Sequence, residues 1–119
     1  MYARDNDAGA NDLQQLLPVD SHVEAATEMV RMLADGTRLR LMWLLVHGEY
    51  DVTALVAALG VARPAVSQHL GKLRLAGLVT MRRDGRRALY SGRGGHVRRL
   101  VTEVMHAASH RVRGIPEHD

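Results

Sequence analysis

Three histidines near the end of the chain have spacing that could hold a metal ion. His106 and His110 are i,i+4, so one helix face carries both. At 100° per residue, His96, Glu103, His106 and His110 point to one side of a helix, and Val97, Leu100, Val101, Val104 and Ala108 form an apolar stripe elsewhere. His96 and His110 lie roughly 21 Å apart along such a helix at ~1.5 Å per residue, whereas a ligating nitrogen must come within ~2 Å of its ion. One helix therefore cannot bring both to one ion. An antiparallel copy can, with His96 of one protomer meeting His110 and His106 of the other. That geometry asks for a site bridging a dimer, present twice by symmetry. Imidazole and carboxylate donors without thiolate suit Ni, Co or Zn. The competing reading is a set of solvated surface histidines.

A second set has the chemistry to read DNA. In the run Arg63 to Gly77, Val66, Leu70, Leu73 and Gly77 recur at helical spacing. Pro64 suits a first helical turn. Pro64, Ser67, Gln68, Gly71 and Lys72 lie on or beside the opposite face. That face offers small residues, an amide and hydroxyl for base edges, and a cation for phosphate, with Arg63 at its start. Alone, this fits an ordinary amphipathic helix as well as a recognition helix in a major groove. Its surroundings favour the latter.

The elements that must position these residues read as follows. Met1 to Pro18 is polar and rich in Asp, Asn and Gly, an expected flexible arm in which Leu13, Leu16 and Leu17 could dock a short helix. Ser21 and Glu24 have capping-box spacing and open a helix ending near Asp35-Gly36. Thr37 is placed to cap the next, nearly all-apolar helix, which Gly48 closes. Asp51 or Thr53 caps a short helix ended by Gly60. The tight connection Gly60-Val61-Ala62 then makes a helix-turn-helix with the Arg63 helix. Strand-like runs flank Asp84-Gly85, a hairpin signal whose tip is Arg82, Arg83, Arg86 and Arg87. A basic hairpin straight after a recognition helix reads as a wing; alone, it would fit an edge hairpin kept soluble by charge. A glycine-rich hinge, Ser91 to Gly95, leads to the last helix, from about His96 to Arg111, stopped by Gly114 and Pro116.

Composition bounds the function. The 119 residues make one domain, with an apolar fraction of 46%, no Phe and one Trp, so the core is aliphatic and small. Oligomerisation is a common remedy. There are no cysteines, which excludes disulfides and thiolate metal sites. No run approaches a membrane span and the acidic start is no signal peptide, so the expectation is a cytoplasmic bacterial protein with no membrane partner. Net charge is only +3, but from Arg63 to Arg99 Asp84 stands alone against a block of bases, an electrostatic footprint for nucleic acid. An enzyme is not expected: the histidine pair lacks the Glu of a His-Glu-x-x-His motif, and no phosphate-binding glycine loop or Ser/His/Asp set is present.

With these residues in view, the chain resembles the ArsR/SmtB family of metal-responsive winged-helix regulators over roughly Val23 to Val112. The resemblance rests on Met32-Leu-Ala-Asp-Gly-Thr-Arg38, Val66-Ser-Gln-His-Leu-Gly-Lys-Leu73, the Arg-Arg-Asp-Gly-Arg-Arg wing and a histidine-bearing last helix. The actinobacterial nickel/cobalt-sensing branch is the most similar. The resemblance implies a mainly α fold with a small β-hairpin, a winged helix-turn-helix dimerising through its first and last helices and binding double-stranded operator DNA. The expected organisation along the chain is a flexible arm over 1–18, a DNA-binding and dimerisation domain over 19–112 and a tail over 113–119. The resemblance also implies Ni as effector, with Co and Zn as alternatives. The family's metal pattern carries over to His96, His110 and the tail residue His118. It is not matched in full: Gly94, Ala107 and Ser109 stand where ligands are usual, leaving His106, Glu103 and Asp119 as substitutes. The alternative is a winged-helix regulator with a non-metal effector or none. Of the other histidines, His69 reads as packing or a phosphate contact, His47 as a last-turn residue where partial positive charge is favourable, and His22 fits either reading.

Overall fold

The computed structural model describes residues 6–114. Their order is α1 Asn6–Leu16, α2 Asp20–Leu33, α3 Gly36–Leu45, α4 Val52–Leu59, α5 Arg63–Leu75, β1 Val79–Asp84, β2 Arg87–Gly92 and α6 Gly94–Arg113. The two strands form one antiparallel sheet. This is a winged helix-turn-helix, mainly α with a small β-hairpin. No described helix is long and apolar enough to cross a membrane.

The core is aliphatic, as composition requires. Leu41, Met42 and Leu45 of α3 are almost wholly buried, with Leu55 of α4, Val66, Leu70 and Leu73 of α5, Leu78 and Val79 at the start of the wing, and Val97 and Val101 of α6. The elements from α2 onward thus supply the core, α1 adds nothing to it, and α3 lies at the centre. The Val66/Leu70/Leu73 stripe seen in the sequence is the buried face of α5.

Several boundaries differ from the sequence reading, each for a local reason. Ser21 does not cap α2: the helix starts at Asp20, and the Val19 carbonyl accepts from the N–H groups of His22 and Val23. Asp35, not Thr37, caps α3, its carboxylate accepting from the Arg38 N–H at 2.9 Å. A carboxylate reaches the N3 amide and also suits the positive end of the helix dipole. Of the two candidate caps of α4, Asp51 is the one used, accepting from the Ala54 N–H at 2.9 Å. α3 ends at Leu45, before Gly48. The hinge before α6 is shorter than expected, because β2 runs on to Gly92. There β2 crosses the end of α3 so closely that a Cβ at Gly92 would sit 2.9 Å from Val46 Cγ1.

The arm expected over 1–18 contains helix α1. Its Ala, Gln and Leu residues favour helix locally. Leu13, Leu16 and Leu17 remain 65–79% exposed, so they do not dock on their own chain.

Candidate nucleic-acid interface and histidine helix

α4 and α5 meet through Gly60, whose φ of 66° lets the chain reverse tightly. Burial of Val66, Leu70 and Leu73 turns the opposite face of α5 outward. Pro64, Ser67, Gln68, Gly71 and Lys72 are all exposed there, with Arg63 at the helix start. Leu75 continues this face at the helix end and is 92% exposed. An exposed leucine beside polar residues was not singled out from sequence, although its place four residues after Gly71 puts it on that face.

Arg63 is tethered: its Nη2 donates to Thr53 Oγ1 at 2.6 Å, bracing the start of α5 against α4. The acceptor is neutral, so the Arg63 charge stays available. His69, half-buried on α5, faces Arg38 of α3, with Nδ1 at 3.3 Å from Nη1. Arg38 Nε also donates to the Met32 carbonyl at 2.6 Å. His69 is therefore a packing residue between α3 and α5, one of the two roles expected of it.

The wing pairs in register from Val79↔Gly92 to Asp84↔Arg87. This leaves Gly85-Arg86 as the two-residue turn, one position later than the Asp84-Gly85 signal suggests. Gly85 has φ 63°, as the first central position of a mirror-image hairpin turn requires.

The four wing arginines are not equivalent. Arg82 donates twice to Glu49, Nε and Nη2 each at 2.8 Å from a carboxylate oxygen. Arg87 Nε donates to Asp51 Oδ2 at 3.1 Å. These hydrogen bonds from Arg82 hold Glu49 below the usual carboxylate range, and Glu49 raises Arg82 in turn. Asp51 is also held low, first by the Ala54 N–H and then by Arg87. Arg83 and Arg86 are exposed and enter no ion pair among the described residues. Sequence reading missed Glu49 and gave Asp51 only as a helix cap, not as an arginine's partner; the alternation Glu-Tyr-Asp just before α4, facing a basic hairpin, is the signal that carries both pairings.

α6 places the metal candidates. Val97 and Val101 bury its first half, while Val104 is 39% and Val112 86% exposed. His96 and His106 are exposed and His110 half-exposed. The His96 Nδ1 lies 2.9 Å from Arg99 Nη2. His106 and His110 stand one turn apart, with His96 at the far end of the same helix. Among the described residues of one chain no three potential ligands converge. His118 lies outside the described residues.

Comparison with known proteins follows the same lines. Residues 35–81, which span α3 to the start of the wing, match the family described as bacterial regulatory protein, arsR family. The HTH-type transcriptional regulator KmtR of Mycobacterium tuberculosis is 42% identical over 118 residues, covering 99% of this chain and 85% of that protein. The HTH-type transcriptional regulator NmtR of the same organism is 36% identical over 94 residues, covering 78% of each. Among solved structures, a homodimeric winged helix-turn-helix DNA-binding domain from Mycobacterium bovis, a possible ArsR-family regulator, superposes with a TM-score of 0.74 at 30% identity, covering 87% of this chain and 97% of that one. With a helix-turn-helix, a basic wing and near full-length similarity to such regulators, the chain belongs to the ArsR/SmtB family of DNA-binding transcriptional regulators.

Proposed function

We propose that this protein is a cytoplasmic, metal-responsive regulator that binds operator DNA as a homodimer, with residues 19–112 as its DNA-binding and dimerisation unit. α5 enters the major groove and presents Ser67 and Gln68 to base edges, while Arg63 and Lys72 meet phosphates and Pro64 allows close approach. The wing follows the neighbouring backbone.

The observation that carries the sensing role is the coincidence of two features on α6. The helix that bears His96, His106 and His110 on its open side also leaves Val104 and Val112 uncovered. Leu16, Val23 and Val30 of α1 and α2 are uncovered too. Apolar surface on the first and last helices fits a second copy. In an antiparallel pair of α6 helices, His96 faces His110 and His106 of the partner subunit. Those donors, with Glu103, His118 or Asp119 completing the set, fit Ni, and Co or Zn as alternatives. A bound ion would supply a cross-link between the two last helices. The chain's own part is to orient the imidazoles and to carry any change in helix orientation through α3 to α5.

The test is operator affinity with and without Ni, Co and Zn, using a duplex from the promoter upstream of its own gene. A coupling of ~1–3 kcal/mol would change affinity about 5- to 150-fold. Unchanged affinity with all three ions would leave a regulator with a non-metal effector or none.

A further inference from the structure

Three consecutive residues of the α3–α4 connection clamp the wing. Tyr50 pairs with Tyr90 on the outer edge of β2, N–H to carbonyl in both directions, at 3.0 and 2.8 Å. Side chains alternate along an extended segment. Tyr50 and Tyr90 therefore share one face, and Glu49 and Asp51 share the other. The hairpin register puts Arg82, Asp84, Arg87 and Leu89 on that second face, and Arg83 with Ala88 on the first. The two acids thus meet Arg82 and Arg87 by register rather than by chance approach of long side chains. Arg82 is held in the bidentate fork geometry that suits a carboxylate.

We infer that Glu49 and Asp51 are specificity-determining residues: they withhold Arg82 and Arg87 from DNA and leave Arg83 and Arg86 as the wing's phosphate contacts. This rests on the DNA-binding reading above. The physical reason lies in how contacts are counted on different DNAs. Binding to arbitrary sequence comes from phosphate neutralisation, and any cation on a flexible stem can add to it in any pose. A cation held by a carboxylate must first leave it, at a cost that solvent keeps modest because the Arg82 and Arg87 side chains are 58% and 59% exposed. The remaining wing cations sit on a hairpin clamped by backbone pairing. They meet phosphates when α5 is seated in its groove, so their contribution depends on correct docking. Phosphate contacts then set register, and base contacts keep their share of the affinity.

The experiment uses the full-length protein, a duplex from its own promoter and a random duplex of equal length, each titrated over a range of salt. Glu49→Gln with Asp51→Asn removes both charges, and the amide introduced by Asp51→Asn can still cap α4. The double variant should show a steeper salt dependence, by about one unit of log–log slope per arginine released. Its affinity for random DNA should rise several-fold and its preference for the promoter duplex should shrink. Adding Arg82→Gln and Arg87→Gln to that variant should return the slope to its original value, a reversal that general loosening of the fold would not produce. In the otherwise unsubstituted protein, Arg82→Gln should leave the slope unchanged, and Arg83→Ala with Arg86→Ala should flatten it by about two. An unchanged slope in the double variant beside normal promoter binding would overturn this inference alone. A flatter slope with weaker binding to both duplexes would also overturn it, by making Arg82 and Arg87 phosphate contacts. Failure of the unsubstituted protein to prefer the promoter duplex would overturn the regulator reading and this inference together.

Discussion

Nη1 of Arg38 lies 3.3 Å from Nδ1 of His69, thirty-one positions later in the chain. The contact ties the buried central helix α3 to α5, the helix proposed to read DNA. The same guanidinium donates to the Met32 carbonyl, and the Arg38 backbone N–H donates to the Asp35 carboxylate that caps α3. Orientation of α5 thus depends on a polar joint as well as on the Val66/Leu70/Leu73 stripe.

Arg38→Ala should therefore weaken both stability and operator preference. Loss of hydrogen bonds donated by a charged group costs about 1.5–3 kcal/mol, which is roughly 6–12 °C in thermal midpoint for a chain of 119 residues. Thermal unfolding and promoter-against-random affinity measure the two effects. A variant with normal midpoint and normal preference would show that apolar packing alone sets α5.

Gln68→Ala should separate reading from folding. The side chain is exposed, opposite the buried stripe. Discrimination between operator and random duplex should fall by about 1–3 kcal/mol if its amide reads a base edge. The thermal midpoint should not move. Equal weakening on both duplexes would make Gln68 a phosphate contact instead.

Acid should loosen the protein through named groups. Asp35 is held low first by the Arg38 N–H, Glu49 by Arg82, and Asp51 by the Ala54 N–H and then Arg87. A carboxylate whose pKa is lower in the folded chain contributes stability that is complete above its unfolded pKa and lost as pH falls through its folded one. The loss should thus begin near the ordinary carboxylate range, about pH 4, and deepen below it. Thermal midpoints from neutral pH down to about pH 3 should show this fall. Asp35→Asn keeps a cap without a titrating charge, so its acid limb should be shallower. An identical limb would assign the acid sensitivity elsewhere.

The proposed bridging site predicts an unusual complementation. His96→Ala and His110→Ala homodimers should each lose tight Ni binding. A heterodimer with one substitution in each protomer loses both key ligands from one site and keeps the other site whole. It should bind one ion per dimer with near-normal affinity by equilibrium dialysis. Ligands drawn from a single protomer would damage both sites, and the heterodimer would then bind no better than either homodimer.

Much of this protein is legible in local spacing. The α5 stripe, Pro64 in its first turn, the Gly60 reversal and the glycine at the wing tip follow from periodicity and backbone freedom, which act within a few residues. Family resemblance in the same residues carried the fold. Position along α6 also dictates that His96 and His110 cannot share an ion within one helix, because the rise per residue separates them. What spacing cannot choose is a partner. Arg82, Arg83, Arg86 and Arg87 are one basic run in the sequence, and nothing local divides them. Tertiary structure does so: Tyr50 pairs with the edge of β2, and strand alternation then aims Glu49 and Asp51 at two arginines and leaves the other two open. His69 is another such case, since its partner Arg38 is brought near only when α5 packs on α3. Hydrophobic periodicity is a short-range property of the chain. The pairing of charges across more than thirty residues exists only after the core has set which surfaces meet.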